Sequence, residues 1–398
     1  MRIAHIITRM IIGGAQENTL LSCRGLIEEY GDEVLLITGP ALGPEGSLLD
    51  IETSQGRAGE GVATKLIPSL RREIHPLRDR QALKEIKKTL REFQPDVVHT
   101  HSAKGGFLGR LAASQLKIPA IIHTVHGAPF HPYQSAAARA FFRACEKYAA
   151  RRCHKLVSVA DAMTDQLVEA SVAPREKFTT IYSGFDVEPF LHAREIRDQT
   201  RRELGYRDDE IVVAKVARLF HLKGHEFLVQ AAPQIVARAP KVRFLLIGDG
   251  ILQEKLQEQI EAAGLQDYFQ FTGLVSPHRI PALLGAADMV CHLSLREGLA
   301  RVLPQALLSG APVVSYNIDG AREVVVSGKT GFLLPPKTID PLVDAVVTLA
   351  DDEPLRHRLA GQGRGACAKR FPWQVMVREL RQLYEQVLGS NPSQTAEL

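Results

Sequence analysis

The chain has 398 residues, 45% of them hydrophobic and 24% charged, with a formal net charge of +4. That length exceeds one ordinary hydrophobic core and implies two domains, while the composition excludes collagen-like, coiled-coil and disordered classes. No apolar run approaches the roughly 20 residues of a membrane-spanning helix, and the chain opens directly on Arg2 and a strand-like run, so neither a signal peptide nor an anchor is expected and the expected location is the cytoplasm.

In chain order, a strand over residues 3–8 leads to Gly13-Gly14 and a helix from about Gln16 to Tyr30. Glycines between a strand and a helix let the backbone approach a ligand, with helix N–H groups aimed at it, although the full G-x-G-x-x-G spacing is absent. A buried strand, EVLLITG, follows, and a helix is predicted over 79–93, where Leu83, Ile86 and Leu90 recur at helical spacing. Residues 96–100 read as a strand, and a glycine-rich KGGFLGRLAA opens the next helix. The strand at 120–125 ends beside His126, where parallel sheets place their chemistry. A histidine there can orient an acceptor, bond a sugar, shuttle a proton, or simply satisfy loop backbone.

Residues 132–153 read as a long helix with Phe141, Phe142 and Tyr148 among basic side chains. Between Ser102 and Ala160 there are nine Lys and Arg, including Lys104 and Lys155 at its ends, against Glu146 alone. This excess fits a solvated face or a surface lying against anionic lipid. The five cysteines, Cys23, Cys145, Cys153, Cys291 and Cys367, are scattered and never form C-x-x-C, so neither disulfides nor a zinc site is expected.

A charged, irregular stretch over 187–210 reads as the link to a second domain, after which strand and helix alternate again. The strand at 211–216 runs into a loop holding Arg218 and Lys223, two cations able to converge on one diphosphate or to stand exposed. The strand at 242–247 ends in Gly248-Asp249-Gly250. Residues 294–325, SLREGLARVLPQALLSGAPVVSYNIDGAREVV, read as a loop ending at Glu297-Gly298, a helix from about Ala300 with Pro304 in its first turn, a buried strand and a second loop. A carboxylate beside a helix N-terminus offers an acceptor for sugar hydroxyls next to donors for phosphate, though an ordinary α/β unit also fits. The C-terminal RFPWQVMVRELRQLYEQVL is patterned as an amphipathic helix, and residues 391–398 are expected to be disordered. This alternation predicts an α/β protein with parallel sheets covered on both faces.

These motifs, from Gly13-Gly14-Ala15 through DVVHTHSAKGGFLGRLAA, HTVHG, VARLFHLKGHE, FLLIGDG, EGLARVLPQALLSGAPVV and GKTGFLLPP, occur in one fixed order in which the chain resembles the retaining glycosyltransferases of family 4, over nearly its whole length. The resemblance implies the GT-B fold: two facing Rossmann-like domains, here residues 1–188 for the acceptor and 189–370 for the nucleotide-sugar, with a helix over 371–390 crossing back to the first. It implies Arg218 and Lys223 as diphosphate cations and Glu297 as the residue that holds the donor sugar. Gly298, Leu299 and Ala300 would offer backbone donors, His126 would lie over the reacting centre, Gly14 would border the diphosphate from the opposite domain, and Gly248 would line the donor site. Two positions depart from the family pattern: Gln305 stands where a second glutamate is usual, and Ser183 where asparagine precedes glycine.

The expected function is therefore transfer of a hexose or related sugar, with retention, from a UDP- or GDP-sugar to a glycan or lipid-linked acceptor. No metal, cofactor or nucleic acid is expected, and contact with anionic membrane is expected to be peripheral. Two rivals are a nucleotide-sugar hydrolase or epimerase of the same fold, and an inactive scaffolding subunit of a polysaccharide assembly.

Overall fold

The computed structural model of the chain describes residues 1–42, 46–50 and 62–390; the tail expected to be disordered lies outside them. The chain divides into two compact units, the first running from Met1 to Phe185 and resuming at Pro372, the second spanning Asp186–Phe371.

The first unit is built on seven parallel strands: β1 (Arg2–Arg9), β2 (Glu33–Gly39), β3 (Ala63–Leu66), β4 (Val97–His101), β5 (Ala120–Val125), β6 (Lys155–Ser158) and β7 (Phe178–Thr180). Their spatial order is β3-β2-β1-β4-β5-β6-β7, so the chain reverses its direction of travel across the sheet between β1 and β4. Every residue of β4 and β5 is buried, the pattern of strands covered on both faces rather than of a half-exposed antiparallel sheet. Ligands of such sheets sit beyond the carboxyl ends of the strands at that reversal.

The C-terminal helix Trp373–Gly389 belongs to this first unit and completes its core with Met376, Val377, Leu380, Leu383, Tyr384 and Val387, recurring every three or four residues. Asp32 anchors it: one carboxylate oxygen accepts from Arg381 Nε at 2.9 Å and the other pairs with the chain's amino terminus at 2.6 Å.

The second unit repeats the plan with six parallel strands: β8 (Ile211–Val216), β9 (Val242–Ile247), β10 (Phe269–Phe271), β11 (Met289–His292), β12 (Val313–Tyr316) and β13 (Gly331–Leu334). Their order is β10-β9-β8-β11-β12-β13, with the reversal between β8 and β11. Both units are thus Rossmann-like, as the alternation of the sequence predicts.

Local boundaries differ where capping decides them. The helix expected from residue 79 begins at Pro76, because proline tolerates the first helical position and His75 Nδ1 accepts the Arg78 N–H at 3.3 Å. The helix expected over 132–153 is Ala136–Ala150, started by Ser135, whose hydroxyl accepts the Ala138 N–H. The helix expected near Ala300 is the single short segment Val302–Leu308, which leaves Gly298, Leu299 and Ala300 in the loop before it. Among the described residues no helix is long and apolar enough to cross a membrane.

Candidate active site

In the second unit the loops leaving β8 and β11, the two strands at the reversal, are bound together. Leu295 N–H donates to Leu222 O at 2.8 Å, and the β8 loop makes its turn with positive φ at both Leu222 (67°) and Gly224 (71°). A side chain at Gly224 would stand 1.9 Å from Leu293 O, so only glycine lets this loop lie against the exit of β11. Lys223, held between those two residues, places Nζ 2.5 Å from Glu297 Oε1.

Glu297 is fixed from its other side. Its N–H donates to Asp319 Oδ2 at 2.6 Å, and Gly320 N–H donates to Gly298 O at 3.2 Å, so the turn at Asp319–Glu323 braces the EGLA loop. Asp319 itself adopts φ 43°, a left-handed conformation uncommon for a non-glycine residue and frequent at functional turns. His292, the last residue of β11, brings Nε2 to 3.7 Å from the same Glu297 oxygen while its Nδ1 lies 3.2 Å from Ser315 Oγ on β12.

Burial opposes ionisation of Glu297, but the Lys223 ammonium and the His292 ring outweigh it and hold the carboxyl well below the usual carboxylate range. The site therefore presents a carboxylate, about a fifth exposed at 22%, already matched to a cation. Arg218 leaves the same β8 loop with its guanidinium 4.9 Å from the centre of the Phe220 ring, and its carbonyl accepts from His225 Nε2 at 3.2 Å. Burial pushes His225 down to about 3, so the ring is neutral. Beneath them the side chain of Lys215 is buried in β8, and burial lowers its ammonium to about 8.

Gly248 stands at the end of β9 with φ 136°, and a side chain there would meet Ala217 O at 2.3 Å, so it lets the β9 and β8 exits pack closely. Gln305 lies mid-way along Val302–Leu308 and is half-buried, while Gly298 and Leu299 are buried and Ala300 half-buried.

In the first unit Gly14 is exposed at the start of the helix Gly14–Tyr30, which follows the end of β1. His126 follows the end of β5, and its Nε2 lies 3.1 Å from His101 Nδ1, the two rings stacked 5.4 Å apart. His101 in turn places Nε2 2.9 Å from His5 Nδ1. His99, two residues before His101 on β4, lies 2.5 Å from Tyr384 OH and 2.7 Å from Thr124 Oγ1. Sequence reasoning missed this cluster. Its signal was present in the strand period: His99 and His101 share one face of β4, and His5 is paired in register with His99. It also missed His292, the end of β11 just before the Glu297 loop, and Asp319, which reaches the Glu297 amide from the turn after β12.

The basic surface read from the sequence is narrower in the structure. Arg110 is buried and pairs with Glu146 at 2.7 Å, and Lys104 pairs with Asp79 at 2.7 Å, so neither belongs to an open cationic face. Arg139, Arg143, Lys147 and Arg151 remain exposed on or beside the helix Ala136–Ala150, with Phe141 53% and Tyr148 44% exposed among them.

Two Rossmann-like units in one chain fit the GT-B class of glycosyltransferase. Residues 13–184 match the family described as Glycosyl transferase 4-like domain and residues 196–366 that described as Glycosyl transferases group 1, so the chain belongs to the family 4 type of group 1 glycosyltransferases. The chain is 28% identical over 358 residues, 89% of each protein, to the UDP-Gal:alpha-D-GlcNAc-diphosphoundecaprenol alpha-1,3-galactosyltransferase of Escherichia coli. It is 26% identical over 386 residues, 88% of this chain and 89% of the relative, to the D-inositol 3-phosphate glycosyltransferase of Corynebacterium efficiens. Among solved structures, HepE of Anabaena in complex with UDP-glucose superposes with a TM-score of 0.80 at 21% identity, over 97% of this chain and all of that one, which supports the fold.

Proposed function

We propose that this glycosyltransferase moves a hexose or related sugar from a UDP- or GDP-sugar, with retention at the anomeric carbon, to a glycan or lipid-linked acceptor during assembly of cell-surface polysaccharide or lipopolysaccharide. The observation that carries the reading is the Lys223–Glu297 pair at 2.5 Å, which sets a cation beside a carboxylate whose pKa it lowers, at the β8/β11 reversal. The diphosphoundecaprenol in the name of the Escherichia coli relative favours a lipid-diphosphate acceptor.

In this reading Arg218 and Lys223 bind the donor diphosphate, Glu297 accepts from the sugar hydroxyls, and the backbone at Gly298, Leu299 and Ala300 supports sugar and phosphate. Gly248 and Gln305 serve the nucleotide, Gly14 borders the diphosphate, and His126 orients the reacting sugar. As the bond from the anomeric carbon to the donor phosphate oxygen breaks, negative charge grows on the leaving diphosphate, and cations placed there stabilise the transition state more than the ground state. The acceptor hydroxyl forms the new bond from the same face, and its proton passes to the departing phosphate oxygen. Two side-chain cations can supply the neutralisation a metal gives elsewhere, so activity is expected to survive a chelator.

The test is a panel of UDP- and GDP-sugars with a lipid-diphosphate acceptor, followed by mass analysis and anomeric assignment of the product by NMR. Transfer with the donor's anomeric configuration supports the proposal. Donor consumed equally without acceptor would identify a hydrolase or epimerase, and no consumption of any donor that binds would identify a scaffold.

A further inference from the structure

The second unit gathers arginines at the end of its sheet opposite Lys223 and Glu297. Asp288 directly precedes β11 and Gly310 comes shortly before β12, so both mark the amino-terminal ends of strands. Both line a cavity of about 420 Å³, together with Arg194, Arg197, Arg356, Arg364 and Glu353. Helix ends account for part of this gathering, because their carbonyls attract cations. Arg194 Nε and Nη2 donate to Ser309 O and Gly310 O at 3.1 and 2.6 Å, just past the helix Val302–Leu308. Arg197 Nη1 donates to Ala286 O at 2.8 Å, closing the helix Ile280–Ala286, and Arg356 Nη1 donates to Leu349 O at 2.6 Å in the last turn of the helix Asp340–Asp351. Arg364 Nη2 donates to Leu191 O, the end of the one-turn helix Glu188–Leu191.

The cations nevertheless outnumber the negative groups that face them. Asp288 is shared by Arg197 Nη2 at 2.6 Å and Arg201 Nη1 at 3.1 Å, and the exposed Glu353 lies 3.3 Å from His357 Nε2. Among the described residues, Arg194, Arg356 and Arg364 meet main-chain carbonyls and no carboxylate. A helix end carries about half a charge, so even four such ends with Asp288 and Glu353 fall short of the five guanidiniums. Water can satisfy the remaining N–H groups but leaves that excess charge in place. Burial lowers Arg194 to about 10, and the neighbouring Arg197, Arg201 and Arg356 cations act in the same direction while Asp288 opposes them. Each guanidinium has five N–H donors, and the carbonyls occupy only part of each fork.

We propose that this cavity is a second anion site, at the opposite end of the sheet from the donor loops, that takes a small molecule through its phosphate or diphosphate group. Guanidiniums match phosphate oxygens with paired N–H donors. The cations are recessed, Arg356 being only 8% exposed, so the site admits a compact anion rather than a broad macromolecular surface.

Gly361, on the helix Glu353–Arg370, allows a test that leaves every arginine in place. It lines the cavity, and a Cβ there would meet no atom within 4 Å, so a longer side chain enters open space. Inorganic pyrophosphate is titrated calorimetrically into the full-length protein carrying Arg218→Ala/Lys223→Ala, which reduces competition from the donor loop. Adding Gly361→Ala, a better helix former than glycine, is expected to keep the affinity within about twofold. Adding Gly361→Glu instead sets a carboxylate among the arginines and should weaken binding about tenfold or more. With Arg218 and Lys223 restored, Gly361→Glu should bind nucleoside diphosphate normally, which shows that the fold is intact. Pyrophosphate that fails to bind, or that binds the Gly361→Ala and Gly361→Glu proteins alike, overturns the proposal. Binding left at the donor loop is insensitive to position 361 and cannot imitate the expected difference. Repeating the titrations with UDP separates two sources of the same chemistry. A Gly361→Glu loss with UDP as well supports a nucleoside diphosphate as the ligand, and a loss with pyrophosphate alone supports a different phosphate compound.

Discussion

Lys223 Nζ lies 2.5 Å from Glu297 Oε1, and the two residues come from loops that leave adjacent strands at the reversal of the second sheet. The pairing links their substitutions in opposite senses. Lys223→Ala removes a diphosphate cation and is expected to weaken nucleoside diphosphate binding about tenfold or more, since a charge-assisted bond contributes roughly 1.5–3 kcal/mol. Arg218→Ala should do the same. Glu297→Ala instead releases Lys223 toward phosphate, so diphosphate affinity should hold or rise while the transfer rate falls steeply. Calorimetric titration beside rate measurement checks this, and a parallel loss of affinity and rate in Glu297→Ala would remove the carboxylate from the sugar.

Acid stability follows from the buried histidines. His5 falls from 6.5 to about 3 through burial, and His225 falls to about 3 for the same cause. A histidine whose folded pKa is depressed binds its proton more readily in the unfolded chain, so its contribution is complete above about pH 6.5 and is lost as pH falls toward the folded value. Each such group gives a slope of up to about 1.4 kcal/mol per pH unit in that window. Chemical denaturation between pH 7 and pH 4 should show stability falling steeply, and more shallowly in His5→Asn. Parallel slopes in the two proteins would mean that His5 does not titrate on unfolding.

The strand-helix alternation of the sequence carried the two Rossmann-like units, because parallel strands buried on both faces read as apolar runs and glycines mark their exits. That Arg218, Lys223 and Glu297 lie in loops beyond strand ends was legible for the same reason, since each follows β8 or β11. What the sequence did not show was set by register and by capping. Asp319 reaches the Glu297 amide only through a left-handed turn, and Arg110 read as a surface cation until Glu146 met it in the interior. The H-x-H of β4 was visible as spacing, but its meaning depended on the pairing of β1 with β4 and on His126 arriving from β5.

The face of the helix Ala136–Ala150 is expected to dock on anionic lipid. Arg139, Arg143 and Lys147, four residues apart, are exposed along one side of the helix, and Phe141 and Tyr148, seven apart, are exposed along another. Near-surface basic residues contribute about 1 kcal/mol each at low salt. Sedimentation with phosphatidylglycerol vesicles should show binding that falls as salt rises and weakens in Arg139→Glu/Arg143→Glu. Binding that ignores salt, or occurs equally on neutral vesicles, would leave the face merely solvated.

Gln305 is expected to serve the donor nucleotide more weakly than a glutamate would. It lies on the short helix that follows the Glu297 loop, half-buried, with a side chain long enough to reach a ribose. A carboxylate there accepts from two hydroxyls, whereas an amide offers one oxygen and a neutral bond. Neutral bonds contribute roughly 1 kcal/mol against 1.5–3 for charged ones, so the amide should cost about 1 kcal/mol, a several-fold loss of affinity. The absence of a negative charge near the diphosphate offsets part of that cost. Titration of the preferred nucleoside diphosphate into the wild type, Gln305→Glu and Gln305→Ala should therefore rank affinity as Glu, then Gln, then Ala. Alanine binding as tightly as glutamine would take position 305 away from the ribose and strengthen the case for an inactive scaffold.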